Sequence, residues 1–523
     1  MHFDLKQHQT TNFSKILKLF DSILHSQDVA LTFISYLRFV RNHSYFLSFN
    51  FSICSSCPIL QLHKGFSLVH LSYHFPSFKF FFPSMSIANS LGKGTRKCGT
   101  ILLDAITFFV FLFLDLLDAS LCVVYKFLDE FFQGKASPCY CVNKGEQNGD
   151  CGDGERGLSE TLYGRKNVFR EMGFLGFARK WEYRKKRDGF VGGGRLVNRW
   201  SDCGCESCVS WMKNGCQKLH VVVKELPQGI RKDSEGNPSE KVIFIHGILS
   251  SSSFWTKTVF PKLSESTNSK YSLFAVDLLG FGKSPKPRDC LYTMKDHVEW
   301  IEKSVISPFQ FDSFHVVAHS MGCIIALALA AKHSKSVKSI SLVAPPYFPS
   351  KDGVEFTVMN CVTSKKLWPP QAFLSSIMAW YEHLGRCVCL LMCRNHRTWE
   401  RLIKRFTGLR NLDFMLLDLT KHTHHSGWHT MHNVLFRGVK LMDKNLETLM
   451  QSRTKVHVIL GNRDKSVPPE CGNDIKKKFP DVEVNNIANA GHRSVIFTRE
   501  KDFAQNLVRI WENAASDQHN HPV

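Results

Sequence analysis

The chain has 523 residues, 43% hydrophobic and 22% charged, which is the composition of a folded globular protein and excludes a mainly disordered, collagen-like or coiled-coil chain. A mean hydropathy of −0.15 excludes a protein built mostly of membrane spans. The formal net charge of +21 (67 Lys+Arg against 46 Asp+Glu) suits an anionic membrane, an acidic wall polymer or nucleic acid, and does not choose among them.

Residues 1–84 hold 14 of the 42 Phe and 7 of the 24 His, with no Glu or Trp and a single glycine, Gly65. Runs such as Phe80-Phe81-Phe82 follow neither a helical nor a strand period. This stretch reads as an upstream extension of the gene model with Met85 as the start. The other reading is a targeting or membrane-associating extension.

From Met85 a signal or anchor segment is expected over 85–133. Lys93, Arg96 and Lys97 precede the apolar run Ala105–Leu114, whose length of about ten residues suits a signal-peptide core and is short for a spanning helix, which needs about 20. Asp104, Asp115 and Asp118 bracket or follow it, and 116–128 continue apolar. No clear small-x-small cleavage site follows, so a cleaved signal, a retained anchor and an amphipathic helix packed on the domain all stay open.

Residues 134–217 read as a basic linker. Between Arg165 and Arg199 there are 11 Lys/Arg against 3 Asp/Glu, so much of the excess charge lies outside any catalytic core. Seven cysteines fall here: Cys139, Cys141, Cys151, Cys203, Cys205, Cys208 and Cys216. The spacing Cys203-x-Cys205-x-x-Cys208 hints at zinc, but lacks the paired C-x-x-C layout of a strong zinc signature. In a secreted chain disulfides are the better reading, and lipidation of Cys139 and Cys141 is a third.

Residues 218–515 alternate short apolar strands with longer helical patterns. Strands are expected at 242–245, 273–276, 314–317, 340–343, 456–460 and 482–484, with helices such as 294–305 and 323–332 between them. That alternation implies an α/β, doubly wound, mostly parallel sheet. The insertion at about 350–450 is expected to be a helical cap. Residues 516–523 read as a tail.

Chemistry enters at Val316-Val-Ala318-His319-Ser320-Met321-Gly322. A buried strand running directly into a helix, with Ser320 at the turn, is a nucleophile elbow. The turn strains the serine backbone, so small residues are needed two positions away on each side; Ala318 and Gly322 supply them. A second strand ends in His246-Gly247-Ile248, where backbone N–H groups of Ile248 and Met321 would face a developing oxyanion. Ser250–Ser253 follow as loop. Asp464 closes the 456–460 strand, and His492 follows the next strand. No carboxylate occurs in Ala344-Pro345-Pro346-Tyr347, the other place for the acid. The order Ser320, Asp464, His492 is that of an α/β-hydrolase triad, in which His492 takes the Ser320 proton and Asp464 holds the imidazole tautomer. Asp277-Leu-Leu-Gly280-Phe-Gly282-Lys-Ser284 matches neither glycine-rich nucleotide motif and reads as a structural loop. Five histidines between His422 and His432 invite a metal reading; with no Cys or carboxylate cluster beside them in the chain, a polar cap helix facing cleft or solvent is preferred. Neither a metal nor a cofactor is expected, and the basic run carries no nucleic-acid motif.

With these motifs in place, the core resembles α/β-hydrolase-fold esterases and lipases. More narrowly, the chain resembles the plant BODYGUARD family. The likeness is carried by Arg199-Trp-Ser-Asp-Cys-Gly-Cys-Glu-Ser-Cys208, His246-Gly-Ile-Leu-Ser-Ser-Ser-Ser253, Val276-Asp-Leu-Leu-Gly-Phe-Gly-Lys-Ser-Pro-Lys-Pro287 and Ala318-His-Ser-Met-Gly322. Ala344–Tyr347, Trp380-Tyr-Glu-His383, His422-Thr-His424 and Trp428-His-Thr430 add to it, and it extends roughly from Met85 to the C-terminus. In that family Ala before His-Ser is usual. Ala490-Gly491-His492-Arg493 departs from it, since the family often has a charged residue before the histidine. The resemblance implies a lysophospholipase-type serine hydrolase or acyltransferase acting on lipid acyl esters. It also implies secretion or anchoring at the outer epidermal wall and a role in cutin and cuticle formation. The reading from another class is a catalytically idle α/β-hydrolase-fold protein that binds an apolar ligand.

Overall fold

A computed structural model describes residues 93–134, 139, 158–171, 199–213, 218–224, 240–409 and 411–520. Residues 1–84, Cys141, Cys151, Cys216 and most of the basic run between Arg165 and Arg199 lie outside these.

The frame is a seven-stranded sheet in the order β1-β3-β2-β4-β5-β6-β7. The strands are β1 (Val221–Lys224), β2 (Glu240–Ile245), β3 (Tyr271–Val276), β4 (Phe314–His319), β5 (Val337–Val343), β6 (Lys455–Gly461) and β7 (Glu483–Ile487). All neighbours run parallel except β1, which pairs antiparallel with β3 at one edge. The central strands are covered on both faces, and β3 and β4 are buried at every residue. That is why they read in sequence as continuous apolar runs rather than as alternation. Alternate residues still face opposite layers. Ile243 and Ile245 join the core that contains Val316, Ile324 and Leu446. Val242 and Phe244 join the one that contains Trp255, Val317 and Trp511. Each such large side chain, fully buried, contributes about 1.5–3 kcal/mol. The edge strand β1 is absent from the sequence expectation: its four half-buried residues carry no periodic signal.

Before the sheet, α1 (Lys93–Gln133) is one continuous helix of 41 residues. Its part Leu103–Gln133 is long and apolar enough to cross a membrane by length and composition, and one side of it is buried against the rest of the protein. This corrects the short run expected at 105–114. Asp115 and Asp118, which look like a stop in sequence, turn inward. Asp118 is fully buried and accepts from the amides of His383 (2.9 Å) and Leu384 (3.2 Å), so neither charge interrupts the helix. Phe111 packs on Phe373 and Tyr381, while Phe108, Phe109, Phe113 and Phe131 stay exposed. Between α1 and β1 lies α2 (Glu206–Lys213).

Within the sheet domain, α3 (Met294–Ile301) starts at a Thr293/Asp296 capping box, and α4 (Met321–Lys332) leaves β4 through the Ser320 turn. Between β5 and β6 lie the cap helices α5 (Val354–Val362), α6 (Pro370–Trp380), α7 (Glu382–Met392), α8 (His396–Thr407), α9 (Phe414–Leu419) and α10 (His424–Thr430). A π-helical stretch, Met431–Phe436, leads on to α11 (Val439–Gln451), which was expected within the cap. It packs instead on the sheet layer: Val439, Met442, Leu446 and Leu449 share a core with Ile324 and Ile325 of α4. Gly438 permits that approach, since a Cβ there would sit 2.6 Å from Ile324 Cγ2. The chain then forms α12 (Glu470–Lys478) and α13 (Glu500–Asn520).

Candidate active site

The site is assembled at the carboxyl ends of β2, β4 and β6. β2 and β4 pair with Ile245 opposite Ala318, so the residues leaving each strand lie side by side. Ser320 has φ 55° and ψ −128°, a backbone that a side-chain-bearing residue rarely adopts. The elbow is held from both sides. Ser320 N donates to Val343 O at 2.8 Å, and Cys323 N returns to Ser320 O at 2.9 Å.

Two glycines let the loop after β2, the expected oxyanion loop, close on this turn. A Cβ on Gly322 would stand 2.5 Å from His246 O and 3.0 Å from Ile245 O. A Cβ on Gly247 would stand 3.2 Å from Ser320 Cβ. The loop containing Ile248 is thereby packed against the start of α4, which begins at Met321. Ala318 is fully buried in β4. His246 has a structural place: buried, it donates from Nδ1 to Gly247 O (2.7 Å) and accepts at Nε2 from Leu278 N (2.9 Å). Burial pushes its pKa down, so the ring is a neutral spacer between the oxyanion loop and the 277–287 loop.

Asp464 and His492 come together as their strand positions require. His492 Nδ1 donates to Asp464 Oδ2 at 2.8 Å, and His492 Nε2 lies 3.0 Å from Ser320 Oγ. Asp464 Oδ1 accepts from the amides of Ser466 (2.7 Å) and Val467 (2.9 Å), and its side chain is fully buried. With both carboxylate oxygens engaged, the acid has one orientation. His319 adds a support beyond its place in the elbow. Its Nε2 donates to His492 O at 3.0 Å, and its ring stacks on Phe254 with centroids 4.8 Å apart. Burial first, and the neighbouring His492 second, hold the His319 pKa well below the usual imidazole range.

Around this centre the 277–287 loop is organised by Asp277, which accepts from Ser252 N (2.6 Å) and Lys283 N (2.7 Å). The cap is latched to the same region. Ser251 Oγ donates to Asp418 Oδ2 of α9 at 2.5 Å, and Ser426 Oγ of α10 donates to Gly280 O at 2.9 Å. Arg493 reaches α9, its guanidinium 3.5 Å from Met415 Sδ. Asp418 had no local signature, because its partner lies 167 residues away.

The histidine-rich segment departs from expectation. His424, His425, His429 and His432 are buried rather than turned to solvent. They tie this segment to parts of the chain before the cap: His425 Nε2 meets Cys290 O (2.8 Å) and His432 Nδ1 meets Thr161 Oγ1 (2.7 Å). His422 does have a cysteine cluster beside it, one that the chain order hides: Cys389 in the last turn of α7 and Cys393 at its C-terminal cap lie 3.7 and 3.8 Å from its Nε2.

The sequence matches the family described as alpha/beta hydrolase fold over residues 241–497. Probable lysophospholipase BODYGUARD 4 of Arabidopsis thaliana is 54% identical over 419 residues, covering 80% of this chain and 98% of that protein. Probable lysophospholipase BODYGUARD 5 of the same plant is 50% identical over 440 residues, covering 81% and 98%. Probable lysophospholipase BODYGUARD 1 is 37% identical over 458 residues, covering 78% and 96%. Identity at this level over nearly the whole of each relative, on a sheet of this order, makes the chain a member of the BODYGUARD family within the α/β-hydrolase fold.

Proposed function

We propose that the protein is a serine hydrolase of lipid acyl esters, with a lysophospholipid-type substrate suggested by the names of its relatives. The single observation that carries this reading is the chain of contacts Ser320–His492–Asp464, at 3.0 and 2.8 Å, on a serine with φ 55°. Ser320 Oγ attacks the acyl carbonyl while its proton passes to His492 Nε2. Asp464 steadies the imidazolium. The carbonyl oxygen takes the negative charge, facing the N–H groups of Ile248 and Met321, each worth about 10²–10³ in rate. Collapse breaks the ester bond, and His492 returns its proton to the departing alcohol. Water then repeats the sequence on the acyl-serine and releases the fatty acid. An alcohol entering in place of water would give acyl transfer, and the cap decides between the two.

The same reading places the enzyme at the outer face of the plant epidermis, secreted or held by α1, on the route to cutin. Its support is the family likeness together with the exposed apolar face of α1. A fluorophosphonate probe tests the catalytic part: labelling of the full chain that disappears in Ser320→Ala supports it. A folded wild type that never labels would overturn it in favour of an idle ligand binder. Lysophospholipids and hydroxy-fatty-acyl glycerols, offered side by side to purified enzyme, test the substrate class.

A further inference from the structure

Three cysteines ahead of the sheet converge on one cap histidine. Cys203 and Cys205 precede α2, Cys208 lies in its first turn, and His396 is the first residue of α8. One ligand atom from each lies within 4.8 Å of all the others. Cys205 Sγ is 3.5 Å and Cys208 Sγ 3.4 Å from His396 Nε2. Zinc bonds of about 2.3 Å to sulfur and about 2.05 Å to imidazole, opened to the tetrahedral angle, put sulfur and nitrogen about 3.6 Å apart. The observed separations match that spacing.

The surroundings are those of a ligand set. His396 is buried, and its Nδ1 donates to Glu400 Oε1 at 2.9 Å, one turn along α8. That bond fixes the proton on Nδ1 and aims the Nε2 lone pair at the sulfurs, as an outer-sphere carboxylate does for a metal-bound imidazole. The amide of Cys205 donates to Cys203 Sγ at 3.4 Å, which suits a thiolate. Two further groups, Cys389/Cys393/His422 and Cys122/Cys139/His383, bring three ligands each among the described residues; Cys203/Cys205/Cys208/His396 alone brings four.

We propose that Cys203, Cys205, Cys208 and His396 form a closed, tetrahedral Zn2+ site that clasps the segment before the catalytic domain to the cap. Three sulfurs and one imidazole favour zinc over harder or larger cations. With all four positions filled by protein, the ion is structural and leaves no place for a reacting water. Binding releases the three thiol protons. The clasp reinforces contacts already present in the same segment: Trp200 Nε1 donates to Asp129 Oδ1 of α1 at 2.6 Å, and Arg386 of α7 donates to Ser201 Oγ at 3.1 Å. A disulfide within the cluster would take two sulfurs out of this set, so the two states exclude each other. The proposal stands apart from the chemistry at Ser320.

The experiment is elemental analysis of the full chain, purified without chelators, alongside peptide mapping of its native thiols. Wild type is expected to carry about one zinc more than Cys205→Ser, Cys208→Ser or His396→Ala. Cys389→Ser serves as the control for the neighbouring group and keeps this zinc. Should the serine and alanine variants fail to fold, His396→Cys retains four ligands. It is expected to keep the metal and, loaded with Co2+, to shift the tetrahedral visible bands of wild type toward those of a four-thiolate site. Zinc-free, fluorophosphonate-reactive wild type would overturn the proposal. So would zinc content unchanged in His396→Ala, cobalt bands unmoved in His396→Cys, or Cys203, Cys205 or Cys208 recovered in a disulfide.

Discussion

His319 donates from Nε2 to the main-chain carbonyl of His492 at 3.0 Å, and the two rings lie 4.9 Å apart. The residue before the proposed nucleophile thus holds the backbone of the proposed base. Burial and the adjacent His492 hold the His319 pKa well below the usual imidazole range, and with its Nε2 committed to a main-chain carbonyl its proposed part is positional.

His319→Ala is therefore expected to lower kcat by on the order of 10²-fold through displacement of the base, with KM little changed. His319→Gln keeps an N–H donor and is expected to recover much of the loss. The acid limb of the pH–rate profile should stay in place in both variants. A limb that moves in His319→Gln would assign His319 a titrating role instead.

Gly322 is the next point of sensitivity. The carbonyls of His246 and Ile245 that its Cβ would strike are backbone and cannot rotate away. Gly322→Ala must push the oxyanion loop off the elbow. Overpacking of this kind costs about 1–3 kcal/mol, whereas losing one oxyanion donor costs about 10²–10³ in rate. The expected outcome is a modest fall in thermal midpoint and a much larger fall in kcat/KM. A fall in stability alone would separate the glycine from the oxyanion loop.

The candidate site was legible in the sequence because its signals are local. A strand that runs into Ser320 and a strand that ends before Asp464 both announce themselves over a few residues. What stayed hidden depends on pairing across distance or on the direction of a side chain. Asp418 meets Ser251 from 167 residues away and His396 meets Cys208 from 188. Asp115 and Asp118 looked like the end of an apolar segment because sequence does not record that they point into the cap. The histidines around His429 have the composition of a solvated helix, and only the fold reveals that they are packed. β1 is four residues of unbroken valine and lysine, too short for any period to register.

Glu240 gives an acid-side prediction. Burial alone would raise its pKa, but His315 Nε2 at 2.7 Å and Lys338 Nζ at 2.8 Å more than reverse this and bring it down to about 2. A carboxylate depressed in the folded state stabilises the fold above its unfolded pKa of about 4.3, and that contribution is lost as pH falls toward the folded value. The thermal midpoints of wild type and Glu240→Gln should differ fully at neutral pH and converge between about pH 4.3 and the folded pKa. A gap that stays constant through that window would show that the pair is not linked to folding.

The cap latch at Gly280 offers a test of selectivity. Gly280 has φ +88°, and a Cβ there would lie 2.6 Å from Ser426 Cβ and 2.7 Å from Tyr292 Cε1. Gly280→Ala combines an unfavourable backbone with a clash against α10, so the cap has to lift from the 277–287 loop. Ser426→Ala leaves the backbone of the loop unstrained and removes the 2.9 Å bond to Gly280 O together with the Ser426–Thr423 hydrogen bonds that cap α10, each worth about 0.5–1.5 kcal/mol. If the cap sets the acyl pocket, Gly280→Ala should flatten the dependence of kcat/KM on acyl-chain length, with Ser426→Ala intermediate. Fluorophosphonate labelling of Ser320 should persist in both, because neither substitution touches the triad. Chain-length dependence unchanged in Gly280→Ala, in a protein that still labels, would move the determinant of acyl selectivity away from α10 and onto another part of the cap.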